Sequence, residues 1–245
     1  MAAAHFRRRL AAVGLRELEG GGVGLCAAYA PPRLKCRALL MVPHGRTPSN
    51  EKLLFQSHAE SANSRLLPES LDEARAGADA FLDAFGGGLG LCRFSRSPLG
   101  RCAETARCYE EVFARRGLDA PAVAVDRALI EIDNGCWHGK TVDELAGAER
   151  AAAEAHRYGG DLGARPSDGE STLDVLERAA AWLAAVDERD DAIVVAFGHG
   201  MFQNAAEVVL RTYGDRPPAD VFTRVPGASH LRRGRHHVLY DADSG

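Results

Sequence analysis

Two histidine–glycine pairs, each entered from a short apolar run, are where this chain can do chemistry. The first closes Leu39-Leu40-Met41-Val42-Pro43-His44-Gly45-Arg46-Thr47, and the second closes Ala192-Ile193-Val194-Val195-Ala196-Phe197-Gly198-His199-Gly200. A buried strand that ends in this way delivers a side chain to the carboxyl edge of a parallel sheet, where open α/β folds place their ligands. Between the two lies Ser97-Pro98-Leu99-Gly100-Arg101-Cys102-Ala103-Glu104-Thr105-Ala106, which puts a cation in the first turn of a helix. Two imidazoles and a guanidinium converging on one pocket are the groups that phosphoryl transfer requires.

Each candidate has a chemical reason and a plainer alternative. His44 is the candidate nucleophile, because a neutral imidazole can attack phosphorus when one ring nitrogen is free and the other donates to a fixed acceptor. A tight His-Gly turn supplies backbone carbonyls as that acceptor. A covalent phosphohistidine splits one slow hydrolysis into two displacements. Taken alone, a histidine after a buried strand is more often packed or solvated. Arg101 is the candidate phosphate clamp, with a fixed fork of donors at a helix start whose amides also favour an anion. Its plainer alternative is a surface arginine. Glu131, within Leu129-Ile130-Glu131-Ile132-Asp133-Asn134-Gly135, could give a proton to the leaving oxygen and then take one from water. Asp133 competes for that role, and Glu131 could also be an ordinary strand-end carboxylate. His199 would complete the pocket as a second imidazole, expected to be protonated when phosphate binds.

The elements that must position these residues alternate in type. Buried strands are expected near residues 37–43, 89–94, 122–125 and 192–197, with a last one at His237–Asp241. Apolar spacing predicts helices over 70–85, 99–116, 141–157, 172–186 and 201–213. Gly86-Gly87-Gly88 stops the first of these, and Ser171 caps the fourth. Residues 50–68 read as a helix start followed by an irregular loop. Strands alternating with helices imply a three-layer α/β/α sandwich around a mostly parallel sheet. Residues 1–36, with Gly20-Gly21-Gly22 and Pro31-Pro32, read as an N-terminal extension to a domain over 37–245.

Whole-chain properties bound the function classes. At 245 residues with 46% hydrophobic and 26% charged residues, the chain has a soluble globular profile and needs no disulfide or metal staple. A net charge of −4 and a pI near 6.1 argue against a nucleic-acid partner held by general electrostatics. No apolar run approaches the ~20 residues of a membrane-spanning helix, so no membrane partner is expected. Six cysteines without metal-type spacing read as reduced thiols in a cytoplasm. Arg7-Arg8-Arg9 followed by Leu10 to Leu15 faintly imitates a secretion signal, but Arg16, Glu17 and Glu19 interrupt it. It reads instead as an amphipathic segment that packs on the domain or frays.

Taken together, the motifs resemble those of the histidine phosphatase superfamily, also called phosphoglycerate mutase-like, over roughly residues 37–240. The resemblance rests on Pro43-His44-Gly45-Arg46-Thr47-Pro48-Ser49-Asn50 with Phe55-Gln56, and on Ser97-Pro98-Leu99 with Arg101, Ala103, Thr105 and Ala106. It rests further on Glu131 with Gly135, Trp137 and Gly139, on Gly169-Glu170-Ser171, on His199-Gly200, and on Pro226-Gly227-Ala228-Ser229. It implies that His44 is the phosphorylated nucleophile, that Arg101 and His199 bind the phosphoryl group with help from Asn50, and that Glu131 is the acid and base. No metal or organic cofactor is implied. The family's arginine before the nucleophile is Pro43 here, and Arg46 or Arg37 could fill the gap. Where the family more often carries a glutamate this chain has His138, either a mark of altered specificity or a loop histidine without a role.

The function expected is a phosphoric monoester hydrolase acting on a small phosphorylated metabolite. The alternatives are a catalytically weak or inert binder of phosphorylated ligands, which Pro43 would favour, and a phosphomutase. The span between Glu131 and His199 lacks the basic cluster a mutase would use to hold a reorienting intermediate. Specificity would come from loops over the pocket, with Arg65, His156, Arg157, Tyr158, Arg224 and His230 as contacts to consider. A homodimer is compatible with the sequence.

Overall fold

A computed structural model describes residues 2–19, 22–186, 192–212, 218–222 and 233–242. The central sheet has five strands. These are β3 (Ala38–Pro43), β4 (Cys92–Arg96), β5 (Val123–Val125), β6 (Ile193–Gly198) and β7 (His237–Asp241), in the order β5-β4-β6-β3-β7. The first four run parallel and β7 closes the edge antiparallel to β3. Every residue of β3 and β6 is buried, which is why both read as continuous apolar runs rather than alternating ones.

Helices cover both faces. On one side α3 (Pro68–Phe85) and α4 (Gly100–Arg115) pack Phe81, Tyr109 and Phe113 against Leu40, Val42, Phe94 and Phe197. On the other, α6 (Thr172–Ala184) and α7 (Gly200–Leu210) pack Leu173, Leu176, Phe202 and Val209 against Leu39, Met41 and Val194. A smaller cluster of Phe55, Trp137, Val142, Leu145 and Ala153 lies under α5 (Gly147–Arg157). A single turn of helix, α2 (Pro48–Glu51), follows the first His-Gly pair. The start of α6 is fixed by a reciprocal cap. Asp174 N donates to Ser171 Oγ at 3.2 Å, and Ser171 N donates to Asp174 Oδ2 at 2.7 Å. Among the described residues no helix is long and apolar enough to cross a membrane.

The segment before β3 is packed rather than frayed. Helix α1 (Ala2–Ala12) and the hairpin of β1 (Leu15–Glu17) with β2 (Val23–Leu25) bury Leu10, Val13 and Leu15 in the same cluster as α6 and α7. Arg9 ties α1 to α6 through Asp174 at 2.5 Å and Glu177 at 2.8 Å.

Three expected boundaries move. Residues 89–91 belong to a 3-10 turn over Gly86–Leu91, so the strand begins at Cys92. The helix expected from 141 begins at Gly147, because Thr141 N and Oγ1 both donate to Glu144 Oε2 and close a local turn first. Helix α7 ends at Leu210, where Arg211 turns left-handed at φ +60°. Gly20, Gly21, residue 213, Arg224, Pro226-Gly227-Ala228-Ser229 and His230 lie outside the described residues.

One contact matters for the site. Gly77 of α3 faces the Arg233-Gly234 turn so closely that a Cβ there would lie 2.1 Å from Gly234 O. That oxygen also accepts from Tyr109 Oη at 3.1 Å, and Gly234 itself sits at φ +73°. Backbone on both sides leaves no flexible side chain to yield. Gly77→Ala should therefore cost about 1–3 kcal/mol of stability, read as a lowered urea midpoint. An unchanged midpoint would mean that the turn is free to move.

Candidate active site

The register of the two central strands brings the histidines together. β3 and β6 pair in parallel with Pro43 opposite Gly198, so the next residue of each chain segment is a histidine. His44 N donates to Gly198 O at 3.0 Å, and the imidazole centroids lie 5.2 Å apart in an edge-on arrangement. On the other side of β6, strand β4 is followed by Ser97, whose N donates to Phe197 O at 2.9 Å. Four residues later Arg101 enters from the first turn of α4. Glu131 arrives from the loop after β5.

His44 is 1% exposed, and its Nδ1 lies 2.7 Å from the carbonyl oxygen of Gly45. A carbonyl can only accept, so Nδ1 carries the hydrogen and Nε2 keeps its lone pair. Burial, reinforced by the cations Arg101 and Arg233, holds the His44 pKa well below its ordinary value, so the ring is neutral. The sequence expectation of a backbone acceptor for this ring is met by the adjacent glycine.

His199 is fully buried, with Nε2 2.8 Å from Ser97 Oγ and Nδ1 3.9 Å from Glu131 Oε2. The Ser97 hydroxyl oxygen also accepts from Leu99 N at 3.4 Å. Burial first, then Arg101, His44, Arg178 and Arg233, pushes the His199 pKa well down. Without an anion beside it this ring is neutral. The expected protonated form thus requires a negative charge to offset the desolvation cost.

Glu131 and Asp133 separate by environment. The Glu131 side chain is 13% exposed, and burial raises its pKa against the pull of Arg101 and a hydrogen bond from Ile132 N. Burial acts on Asp133 as well, but hydrogen bonds from Ser57 Oγ at 2.5 Å and Gly135 N at 3.0 Å hold its pKa below the ordinary range. Of the two, Glu131 is therefore the carboxyl that holds its proton to the higher pH.

Arg101 is fully buried, yet its Nε and Nη1 have no hydrogen-bond partner and Nη2 makes only a 3.5 Å contact to Ser57 O. Its charge acts on His44, His199 and Glu131 alike. One ligand atom from each of His44, Glu131 and His199 lies within 4.8 Å of the others, close enough to share a small ion. The guanidinium beside them favours an anion over a metal cation.

The other expected contacts are placed elsewhere in the pocket wall or away from it. Arg46 donates from Nη2 to Glu73 Oε1 at 3.1 Å and is 42% exposed. Asn50 Oδ1 accepts from Thr47 N and Oγ1, both at 3.1 Å, and so braces the loop after His44. Arg37 precedes β3 and lies at the opposite edge of the sheet from His44, about 23 Å away at ~3.3 Å per residue. That distance removes it as a substitute for the arginine missing at position 43. His138 Nδ1 accepts from Ser57 N at 3.0 Å, and burial, aided by Arg101, lowers its pKa. His156 and Arg157 are packing residues. Both are 6% exposed, and the Arg157 guanidinium stacks 3.8 Å from the centroid of Phe55 while donating to Leu53 O. Arg65 pairs with Glu104, and Tyr158 is exposed. Arg233, whose charge reaches all three central groups, was not singled out from sequence, because an arginine in a Gly-containing turn has no periodic signature.

Comparison with known proteins places the fold. No functionally curated protein matches the sequence. Among solved structures, Bacillus stearothermophilus YhfR is similar at 23% identity, covering 82% of this chain and 89% of that one, with a TM-score of 0.61. A mycobacterial glucosyl-3-phosphoglycerate phosphatase is similar at 28% identity, covering 76% and 83%, with a TM-score of 0.53. A phosphoserine phosphatase from Entamoeba histolytica, solved with 3-phosphoglyceric acid, is similar at 21% identity, covering 75% and 82%, with a TM-score of 0.56. The family model of the histidine phosphatase superfamily, branch 1, matches residues 39–223, a span that takes in both His-Gly pairs, Arg101 and Glu131, and the chain belongs to that superfamily.

Proposed function

We propose that this protein is a phosphomonoesterase that hydrolyses a small phosphorylated metabolite through a phosphohistidine on His44. The observation that carries this reading is the Arg101 guanidinium, buried with two nitrogens lacking partners beside two neutral imidazoles and a carboxyl. A buried cation without hydrogen bonds is costly, and an anion with tetrahedral oxygens would satisfy it. The similarity to a phosphatase of a phosphoglycerate derivative supports a small phosphorylated substrate. The six cysteines, none of them in a disulfide, accord with a reducing compartment, and we place the enzyme in the cytoplasm.

In the reaction His44 Nε2 attacks phosphorus while the bond to the ester oxygen breaks. Glu131 gives its proton to that oxygen, and the alcohol leaves. The resulting carboxylate then takes a proton from water, whose oxygen attacks the phosphohistidine. The P–N bond breaks, inorganic phosphate forms and both residues return to their starting states. Arg101 and His199 stabilise the charge on the transferring group throughout.

The test is a panel of phosphorylated metabolites scored for free phosphate and for isomerised product, with His44→Ala as the blank. Phosphate release without isomer supports the hydrolase. An isomer would identify a mutase, and no turnover with any substrate would identify a binder.

The pH dependence follows from the two displaced pKa values. His44 must be neutral, so the acid limb it contributes to kcat/KM lies below the ordinary imidazole range. Glu131 must be protonated, so activity falls as pH rises through a carboxyl pKa above the ordinary range. Glu131→Gln cannot ionise. It should lower the rate by roughly 10²–10⁴ and lose that alkaline limb while keeping the acid one. The substrate's own ionisation is common to both profiles. An alkaline limb unchanged in the variant would assign it to another group.

A further inference from the structure

The charge balance of the site calls for more than Arg101. A phosphate monoester carries about −1.5 to −2 at neutral pH, whereas Arg101 supplies one positive charge and burial disfavours the charged form of both imidazoles. Arg46 is committed to Glu73, and Arg37 is at the wrong edge of the sheet. Arg178 donates to Glu170 and to the carbonyls of Ala128 and Ile130.

Arg233 sits in a turn that is bonded to the strand end carrying His44. The residue after it, Gly234, donates its N–H to Pro43 O at 2.8 Å, one residue before the nucleophile. The same glycine accepts from the buried Tyr109 hydroxyl and abuts Gly77 and Ala74 of α3. Its φ of +73°, and the 3.0 Å that would separate a Cβ from Ala74 Cα, explain why glycine follows the arginine. The turn is thus wedged between α3, α4 and the end of β3. It carries a half-buried arginine whose Nη1 is shielded from solvent.

We propose that Arg233 is the second phosphoryl-binding cation of this site, delivered beside His44 by the Gly234–Pro43 clamp where proline at position 43 can offer no charge. The assignment rests on the phosphatase reading above. Its electrostatic counterpart is that the same guanidinium acts on His44, Glu131 and His199 together. The ligand class is a tetrahedral oxyanion, whose several oxygens can accept from two guanidinium groups at once.

The experiment measures orthovanadate inhibition and inorganic phosphate binding for the full-length wild type, Arg233→Ala and Arg233→Lys. Loss of a charge-assisted contact predicts that Arg233→Ala binds both anions about 10- to 100-fold more weakly. Arg233→Lys should recover at least half of that loss on a logarithmic scale. A deficit under about fivefold in Arg233→Ala, or equal deficits in the alanine and lysine variants, would overturn the assignment. In the second case the turn rather than the charge would be what matters. The two failures are distinguishable. A wild type that binds neither anion and releases no phosphate defeats the functional reading itself. An active wild type with an unaffected Arg233→Ala defeats only the role of Arg233.

Discussion

His44→Ala should reduce phosphate release by on the order of 10⁴-fold or more, and it should abolish the acid-labile phosphate trapped when wild-type enzyme is quenched during turnover. The size follows from what the residue does rather than from what it holds together. Its Nδ1–H is spent on Gly45 O and its Nε2 lone pair is free, so the ring arrives already in the attacking tautomer. No neighbour can replace it. The other imidazole, His199, has its Nε2 turned to Ser97, and Cys102 Sγ lies 3.4 Å from that nitrogen with its own pKa pushed up to about 12 by burial. A thiol held protonated is a poor nucleophile. Residual hydrolysis within tenfold of wild type, with labile phosphate still present, would move the covalent step to another residue.

The proposed nucleophile could be singled out from the sequence because both central strands are buried on two faces. Their apolar runs therefore stand out, and each ends in the same His-Gly pair. What could not be read was which strands lie side by side, yet this adjacency makes the site: Pro43 opposite Gly198 sets the two rings 5.2 Å apart. The order of residues in the chain also hid the partner choices. Arg46 looks like a phosphate ligand from its position two residues after His44, but Glu73, a turn into α3, takes its guanidinium. His156 and Arg157 look like loop contacts, but Phe55 and Trp137 form an aromatic shelf that claims both. The N-terminal hairpin was missed because its strands are three residues each and its connection is a glycine run, which gives no alternation to detect. Why His199 would gain its proton only beside an anion was also out of reach of the sequence. Sequence identifies the residue but not its burial, and full burial beside three arginines favours the neutral ring until an anion enters.

The same burial leads to a result that separates function from stability. Arg101→Met should cost about 10³-fold or more in kcat/KM yet make the anion-free protein more stable, by about 1–4 kcal/mol. In the free protein the guanidinium is desolvated, two of its nitrogens lack partners and its one contact is long. A methionine of similar reach would fill the space without that penalty. Removing one member of a buried charged cluster usually strands the other, but here the remaining acid can adapt. Arg101 is what draws the Glu131 pKa down, so without it burial keeps Glu131 protonated and neutral. The ordering should narrow or reverse when orthovanadate is added, since an anion at a hundred times its Kd stabilises the wild type by about 2.7 kcal/mol and the variant by almost nothing. Urea midpoints of both proteins, with and without orthovanadate, check all of this. An anion-free Arg101→Met less stable than wild type would mean that the arginine is a structural brace, and the buried cation would lose its meaning as a binding site kept ready.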